Sequence, residues 1–121
     1  MSRVIGPDFV ALQVRDLEAS RRFYVDVLGL DVDPDGPPHA VVFDSTPIPF
    51  AVRTPLIDLD GAGRLGTGMM LWVDCDNVDG LFDRVGASGA TITQPVSDGP
   101  FGRQFGFLDP DGYAIVAHEN R

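Results

Sequence analysis

The stretch that most constrains the fold is a turn signal near the end of the chain, Asp109-Pro110-Asp111-Gly112, which separates two apolar runs. Proline fixes φ near −65° and glycine adopts positive φ at no steric cost, so this string favours a tight reversal between two strands. The flanking runs, 102–108 and 113–118, are both rich in apolar residues. The sequence therefore predicts a closing hairpin over 102–118.

The preceding chain divides into short elements of alternating type. An apolar run at 9–14 predicts a strand, and Asp16 is placed to cap a helix that ends at Gly29. Further strands are expected at 39–43 and 48–53, and this half has the order β-α-β-β-β if 30–32 counts as a short strand. The segment 54–67 shows no periodicity and is read as a connector.

The second half repeats this order. A strand at 69–73 precedes a helix capped by Asn77 and stopped by Gly86, followed by a strand at 90–93, a loop at 95–100 and the closing hairpin. The order β-α-β-β-β thus occurs twice, which predicts two half-cores closing against each other. We expect an α+β fold in a single domain, 1–121, with module one at about 7–56, a linker at about 57–66 and module two at about 67–120.

Charge and cysteine content limit the partners. The net charge is −9 at pH 7, which would repel nucleic acid phosphates and anionic membranes. The single cysteine, Cys75, cannot form an internal disulfide, and neither a signal peptide nor a membrane-spanning run is evident. We expect a cytoplasmic protein that binds neither nucleic acid nor membrane.

Two strings carry a family resemblance. One is Gly102-Arg103-x-Phe105 leading into Asp109-Pro110-Asp111-Gly112-Tyr113-x-Ile115, and the other is Val-Arg-Asp-Leu-Glu-Ala-Ser-Arg-Arg-Phe-Tyr at 14–24, followed by Leu-Gly-Leu at 28–30. Together they resemble the vicinal oxygen chelate superfamily, which includes glyoxalase I, extradiol dioxygenases, fosfomycin resistance enzymes and bleomycin-binding proteins. The resemblance implies two β-α-β-β-β modules whose curved mixed sheet forms a cupped cavity with the helices outside.

The resemblance also supplies a test for a metal. Enzymes of this superfamily hold one divalent ion with His and Glu side chains from four strands. By register, the matching positions are Phe9, Gly68, Val116 and one residue within 48–53, and none offers a ligand. We therefore expect no metal and no cofactor. The alternative is a displaced metal site built from His39, His118 and Glu119, although His118 reads more simply as a surface residue.

With those positions apolar, strand alternation defines a candidate ligand cavity. The residues expected to contact a ligand are Phe9, Gln13, His39, Phe50, Met70, Trp72, Arg103, Phe105, Phe107 and Val116, and alternation also aims Ala11 and Val52 inward. Trp72 would offer a stacking platform for a planar ligand. Arg103 would pair either with a ligand carboxylate or with an internal acid. Some of the apolar members could instead only fill a core.

The resemblance is strongest to the metal-free branch that sequesters antibiotics as homodimers, with each cavity completed by the partner chain. This implies a non-catalytic protein that binds a hydrophobic or cationic aromatic small molecule. Three alternatives remain open from the sequence: a metal-dependent lyase, isomerase or dioxygenase, a metal-free isomerase or cyclase, and an interaction module with a vestigial cup.

Overall fold

The computed structural model of the chain describes residues 2–119. Its strands are β1 (Val10–Gln13), β2 (Ala40–Phe43), β3 (Phe50–Arg53), β4 (Leu71–Asp74), β5 (Ile92–Gly99), β6 (Gly102–Leu108) and β7 (Ala114–His118). Its helices are α1 (Leu17–Arg22), which continues as a π-helical turn over Phe23–Val27, and α2 (Val78–Ala87), with a short 3-10 turn at Asp60–Ala62. The α+β class expected from the sequence is confirmed.

The strands form two small mixed sheets. The first has the order β1-β3-β2, with β1 parallel to β3, and the second has the order β4-β7-β6-β5, with β4 parallel to β7. The closing hairpin pairs β6 with β7, as the turn signal predicted. Within residues 2–119 no strand pairing joins the two sheets, so β1 and β4 are both outer strands.

Each helix begins at the polar residue that the sequence indicated. The side chain of Asp16 accepts a hydrogen bond from the Ala19 amide at 3.0 Å, and that of Asn77 accepts one from the Gly80 amide at 3.0 Å. Gly29 follows the first helical segment with φ of 81°, a conformation that glycine adopts without strain. The caps therefore fix where both helices begin.

The strands differ from the sequence interpretation in two places. The segment 30–32 forms no strand, and only Val32 makes an isolated bridge to Phe43. The loop expected at 95–100 is mostly strand, because β5 continues through Pro95 to Gly99. Proline is tolerated there since β5 is an outer strand, and its pairing with β6 shifts register on both sides of Gln94.

One hydrophobic core spans both halves of the chain. It lies between the helices and the sheets, and the ring of Tyr24 lies 5.2 Å from Phe43 and 5.6 Å from Phe50. The neighbouring Phe23 reaches the second sheet, with its ring centroid 6.2 Å from that of Phe107. We call the sheet faces that pack on this core the helix faces. The opposite faces, which carry Ala11 and Gln13 in the first sheet and Trp72, Val116 and His118 in the second, are called the open faces.

The turn of the closing hairpin is tied to the first half of the chain. Asp109 is 5% exposed, and its Oδ2 accepts a hydrogen bond from the Tyr24 hydroxyl at 2.7 Å. Its Oδ1 accepts from the amides of Asp111 at 2.9 Å and Tyr113 at 3.0 Å. Burial raises the pKa of Asp109 above its ordinary value. Burial also raises the pKa of Tyr24 well above its ordinary value, so the Tyr24 hydroxyl stays the donor.

Two further contacts join the same turn to the end of β1. The Arg15 amide donates to Asp111 Oδ1 at 2.8 Å, and the Tyr113 hydroxyl donates to the Gln13 carbonyl at 2.7 Å. The closing turn thus joins the two halves of the chain through hydrogen bonds, which we call the polar joint. The side chains of the open faces take no part in it.

Candidate ligand-binding site

The open face of the second sheet is arranged in rows set by strand register. In one row Trp72 of β4 lies beside Val116 of β7, and Val116 lies beside Gly106 of β6. In the next row His118 of β7 lies between Asp74 of β4 and Gln104 of β6. Since side chains alternate along a strand, these rows share one face. That face carries an aromatic ring, an imidazole, a carboxylate and a carboxamide beside the apolar Val116.

An aromatic cluster of Trp72, Phe101 and His118 stands on this face. The Trp72 ring lies 5.9 Å from Phe101 at an interplanar angle of 85°, and 5.6 Å from His118 at 71°. Both are edge-to-face arrangements, which favour attraction between rings. Trp72 is nevertheless 43% exposed and Phe101 61%. The ring contacts therefore hold the cluster together, and the exposed parts of the Trp72 and Phe101 rings remain accessible to a ligand.

A depression of about 360 Å³ lies at the start of β4, and none of the three cluster residues lines it. It is lined by residues 64–70, Gly112 and Ala114. Ala114 lies on the same face as Val116, two residues earlier in β7, and Met70 comes just before the first residue of β4. This volume is at the lower end of the range for small-molecule sites.

A second depression, of about 320 Å³, lies between the loop after α2 and the closing turn. Its lining residues are Phe23, Ser88, Gly89, Ala90, Thr91, Leu108, Asp109 and Pro110. None of the sequence-predicted ligand residues lines it, and it lies away from the aromatic cluster.

Three of the predicted ligand residues lie on open faces: Gln13, Trp72 and Val116. A fourth, Met70, comes just before β4. Only Met70 and Trp72 are exposed, because Val116 is 1% exposed and Gln13 is half-buried. The Oε1 atom of Gln13 accepts a hydrogen bond from the Leu56 amide at 2.7 Å. Phe9 and His39 are exposed just before β1 and β2. The structure does not gather these six side chains around one cavity.

The expectation that Phe50 and Val52 face the cavity was wrong. Both lie in the core, at 6% and 0% exposure, because the parallel register places Phe50 beside Val10 and Val52 beside Leu12 on the helix face. In β3 the intervening Ala51 is also apolar and buried, so alternation alone could not decide the face.

The same error affects Phe105, Phe107 and Arg103 on β6. Phe105 and Phe107 are fully buried and stack on each other with ring centroids 5.3 Å apart. Phe105 also packs edge-on against Phe82 of α2. Arg103 binds Asp79 of α2 through two hydrogen bonds, at 3.1 and 3.0 Å, and lies 3.6 Å from Asp98. The ion pair that the sequence left as an alternative is therefore the observed one.

The side chains present do not fit a metal site. Within residues 2–119 there is no group of three or more His, Cys, Asp or Glu side chains placed to hold an ion. Of the displaced ligands considered, Glu119 caps α2, with its Oε1 accepting from the Val78 amide at 2.7 Å, and Nδ1 of His118 bonds the Phe101 carbonyl at 3.2 Å. Burial raises the pKa of Cys75, so its thiol stays protonated and is a poor ligand. We derive no metal chemistry for this chain.

The sequence missed Phe101 and Gln104 as members of the site. Phe101 lies in the β5–β6 turn, where no alternation assigns a face, although an aromatic residue between Pro100 and Gly102 was a usable signal. Gln104 lies between Arg103 and Phe105 in β6, and successive side chains of a half-buried strand point to opposite faces. This alternation places the Gln104 side chain on the face opposite the aromatic residues.

The fold and the site define an α+β protein built from two small mixed sheets with a shared core and an open aromatic face. The model of the Glyoxalase/Bleomycin resistance protein/Dioxygenase superfamily matches residues 6–117. The chain belongs to this superfamily. None of the curated proteins compared with the chain matches it at a significant level.

Solved structures show the same fold. A glyoxalase-related enzyme from Fulvimarina pelagi is 24% identical with a TM-score of 0.77, covering 97% of this chain and 89% of that one. TnmS3, an antibiotic binding protein from Streptomyces sp. CB03234, is 23% identical with a TM-score of 0.72 and full coverage of both chains. A lactoylglutathione lyase from Agrobacterium tumefaciens is 22% identical with a TM-score of 0.69, covering 98% and 96%. At these identities the likeness establishes the fold and not the activity.

Proposed function

We propose that this chain is a metal-independent protein that binds a small molecule on its open face without transforming it. The observation that carries the proposal is the exposed aromatic cluster of Trp72, Phe101 and His118 on the open face of the second sheet. The position where family enzymes place a Glu ligand holds the buried, apolar Val116 in the same row. An apolar floor with an aromatic ring above it suits a ligand better than an ion.

The ligand class is a hydrophobic or cationic aromatic molecule, such as an antibiotic. Trp72 offers a broad ring for a planar ligand, and the net charge of −9 attracts cations. Similarity to the antibiotic binding protein TnmS3 supports sequestration, while similarity to the lactoylglutathione lyase supports the alternative of a metal-dependent enzyme. The donor set described above argues against that alternative.

We also propose that a second copy of the chain covers part of the open faces. The edges of β1 and β4 are unpaired in the described part of the chain, and unpaired edges readily accept another strand. Large apolar side chains are exposed nearby: Phe9, Leu56, Ile57, Met69, Met70, Trp72 and Phe101. A homodimer would bury some of them and complete the cavity.

The setting we propose is the cytoplasm, because the single cysteine can form no internal disulfide, as suits a reducing compartment. Within residues 2–119, no helix has both the length and the apolar character needed to cross a bilayer.

The test is a thermal-shift screen of metal-stripped protein against divalent metals and a panel of aromatic, cationic antibiotics. A ligand that binds only the folded state raises the melting temperature, by an amount set by its concentration relative to Kd. We expect a shift with at least one antibiotic, loss of that shift in Trp72→Ala, and its retention in the control Val4→Ala, which removes an exposed apolar side chain outside both the cluster and the proposed dimer contact. Stabilisation by metals alone, unchanged in Val116→Glu, would overturn the proposal in favour of an enzyme.

A further inference from the structure

His118 is held in one orientation within the aromatic cluster. Its Nδ1 lies 3.2 Å from the carbonyl oxygen of Phe101, and its ring is edge-to-face with Trp72. A carbonyl oxygen can only accept a hydrogen bond, so Nδ1 must carry the proton. In the neutral imidazole the lone pair then lies on Nε2. The Phe101 carbonyl therefore fixes which ring nitrogen is an acceptor.

The acceptor atom, Nε2 of His118, has no structural role in the described part of the chain. No side chain or backbone group of residues 2–119 hydrogen-bonds Nε2 of His118. The same residue's carbonyl does serve the fold, since it accepts from the Cys75 amide at 2.9 Å. The backbone carbonyl and Nδ1 of His118 are thus both used by the fold, whereas Nε2 remains available to a ligand.

A second acceptor lies in the same row. Gln104 is directly opposite His118 in the β6–β7 pairing, and its Oε1 is buried without a hydrogen-bond partner in the part of the chain that the structure describes. That oxygen packs against Gly99 of β5 and is shielded from solvent, so Gln104 offers it to no ligand and Nε2 of His118 is the acceptor on which the inference depends.

We propose that His118 makes the open face selective for planar ligands that carry a hydrogen-bond donor, such as phenols. The ring of the ligand packs on the exposed part of Trp72, and its hydroxyl donates to Nε2 of His118. This inference rests on the proposed function, because it names the chemistry that the same site recognises. His118 acts as a specificity-determining residue and takes part in no chemical step.

A matched pair of probes tests the inference. The phenol 2-naphthol carries a donor, and 2-methoxynaphthalene has the same ring system with the donor removed. Calorimetric titration of the intact protein should show 2-naphthol binding roughly tenfold more tightly, the effect of one hydrogen bond to an otherwise unpaired acceptor. In His118→Phe, which keeps a flat ring beside Trp72, the two affinities should fall within about twofold of each other.

Nitrogen-15 NMR of the histidine rings provides a readout that does not depend on affinity. The chain has two histidines, His39 and His118, and His39→Gln assigns the signals. In the free protein Nδ1 of His118 should give the shift of a protonated nitrogen and Nε2 that of an acceptor, and 2-naphthol should move Nε2 alone. His39, in an exposed loop, serves as the internal control.

The outcomes separate this inference from the proposed function. If both probes bind equally and binding needs Trp72, the binding site stands and donor selectivity is overturned. If neither probe binds while an antibiotic from the panel does, donor selectivity is likewise overturned. If Nδ1 of His118 is found unprotonated, the tautomer argument fails whatever the affinities are.

Discussion

The aromatic residues on the two faces of the second sheet differ in their exposure to solvent. On the helix face, Phe105 and Phe107 are fully buried and make ring contacts with Phe82 and Phe23. On the open face, Trp72 and Phe101 are 43% and 61% exposed, and the Trp72 ring makes edge-to-face contacts with Phe101 and His118. The difference separates residues that stabilise the fold from residues that are available to a partner or ligand, and mutation can test that separation.

The largest expected effect is on the helix face. Phe107→Ala should reduce the free energy of unfolding by about 3–5 kcal/mol, because a fully packed ring is replaced by a cavity. The matched control is Phe101→Ala, which removes the same ring from an exposed turn and should cost less than about 1 kcal/mol. Urea unfolding monitored by circular dichroism measures both. Equal losses in the two variants would break the comparison between faces.

A smaller effect is expected at the polar joint. Asp109→Ala removes the acceptor for the Tyr24 hydroxyl and for two turn amides, and should cost about 2–3 kcal/mol. Tyr24→Phe removes only one of these bonds and should cost about 1 kcal/mol. The same unfolding experiment compares them, and a neutral Asp109→Ala would show that the turn does not tie the two halves together.

The buried carboxyl of Asp109 also predicts a pH dependence. Burial raises its pKa in the folded state, so the folded protein holds this proton more tightly than the unfolded chain. The stability that it contributes is present below the ordinary value of 3.8 and is lost as the pH rises through the raised folded pKa. Asp109→Asn cannot titrate, so its stability relative to the natural chain should improve over that interval. Unfolding curves at closely spaced pH values measure the difference, and a constant difference would contradict the assignment.

The smallest effect is expected at Arg103. Its ion pairs with Asp79 and Asp98 are solvent-exposed, and exposed pairs add little to stability. Arg103→Gln should leave both the unfolding curve and ligand binding nearly unchanged. If ligand affinity falls while stability holds, Arg103 belongs to the ligand site despite lying on the helix face.

The sequence predicted most of the fold because its signals were local. The Asp109–Gly112 turn and the capping residues Asp16 and Asn77 each specify one element with their neighbours alone. The core faces of β3 and β6 depended instead on register between distant strands. In β3 three successive apolar residues removed the alternation that would have indicated a face. In β6 the alternation indicated that the aromatic residues face the core, but they were expected to line a cavity.

The candidate site was harder to predict than the fold for a physical reason. Alternation could assign Trp72, and also His118, which lies two residues after Val116 in β7, but their partner Phe101 comes from a turn, where periodicity carries no information about direction. The orientation of His118 depends on a backbone carbonyl 17 residues away in the chain. Contacts of that kind appear only once the chain is folded.

The most direct test of the central claim, that the open face is the binding face, is NMR of protein carrying ¹³C-methyl methionine and ¹⁵N-indole tryptophan. Met69, Met70 and Trp72 all lie at the open face or the depression beside it, and Trp72 is the only tryptophan. Titration with a ligand found by the thermal-shift screen should move the Met70 methyl and Trp72 indole signals with one common Kd. If these signals stay fixed while the ligand still raises the melting temperature, the ligand binds elsewhere and the account is wrong.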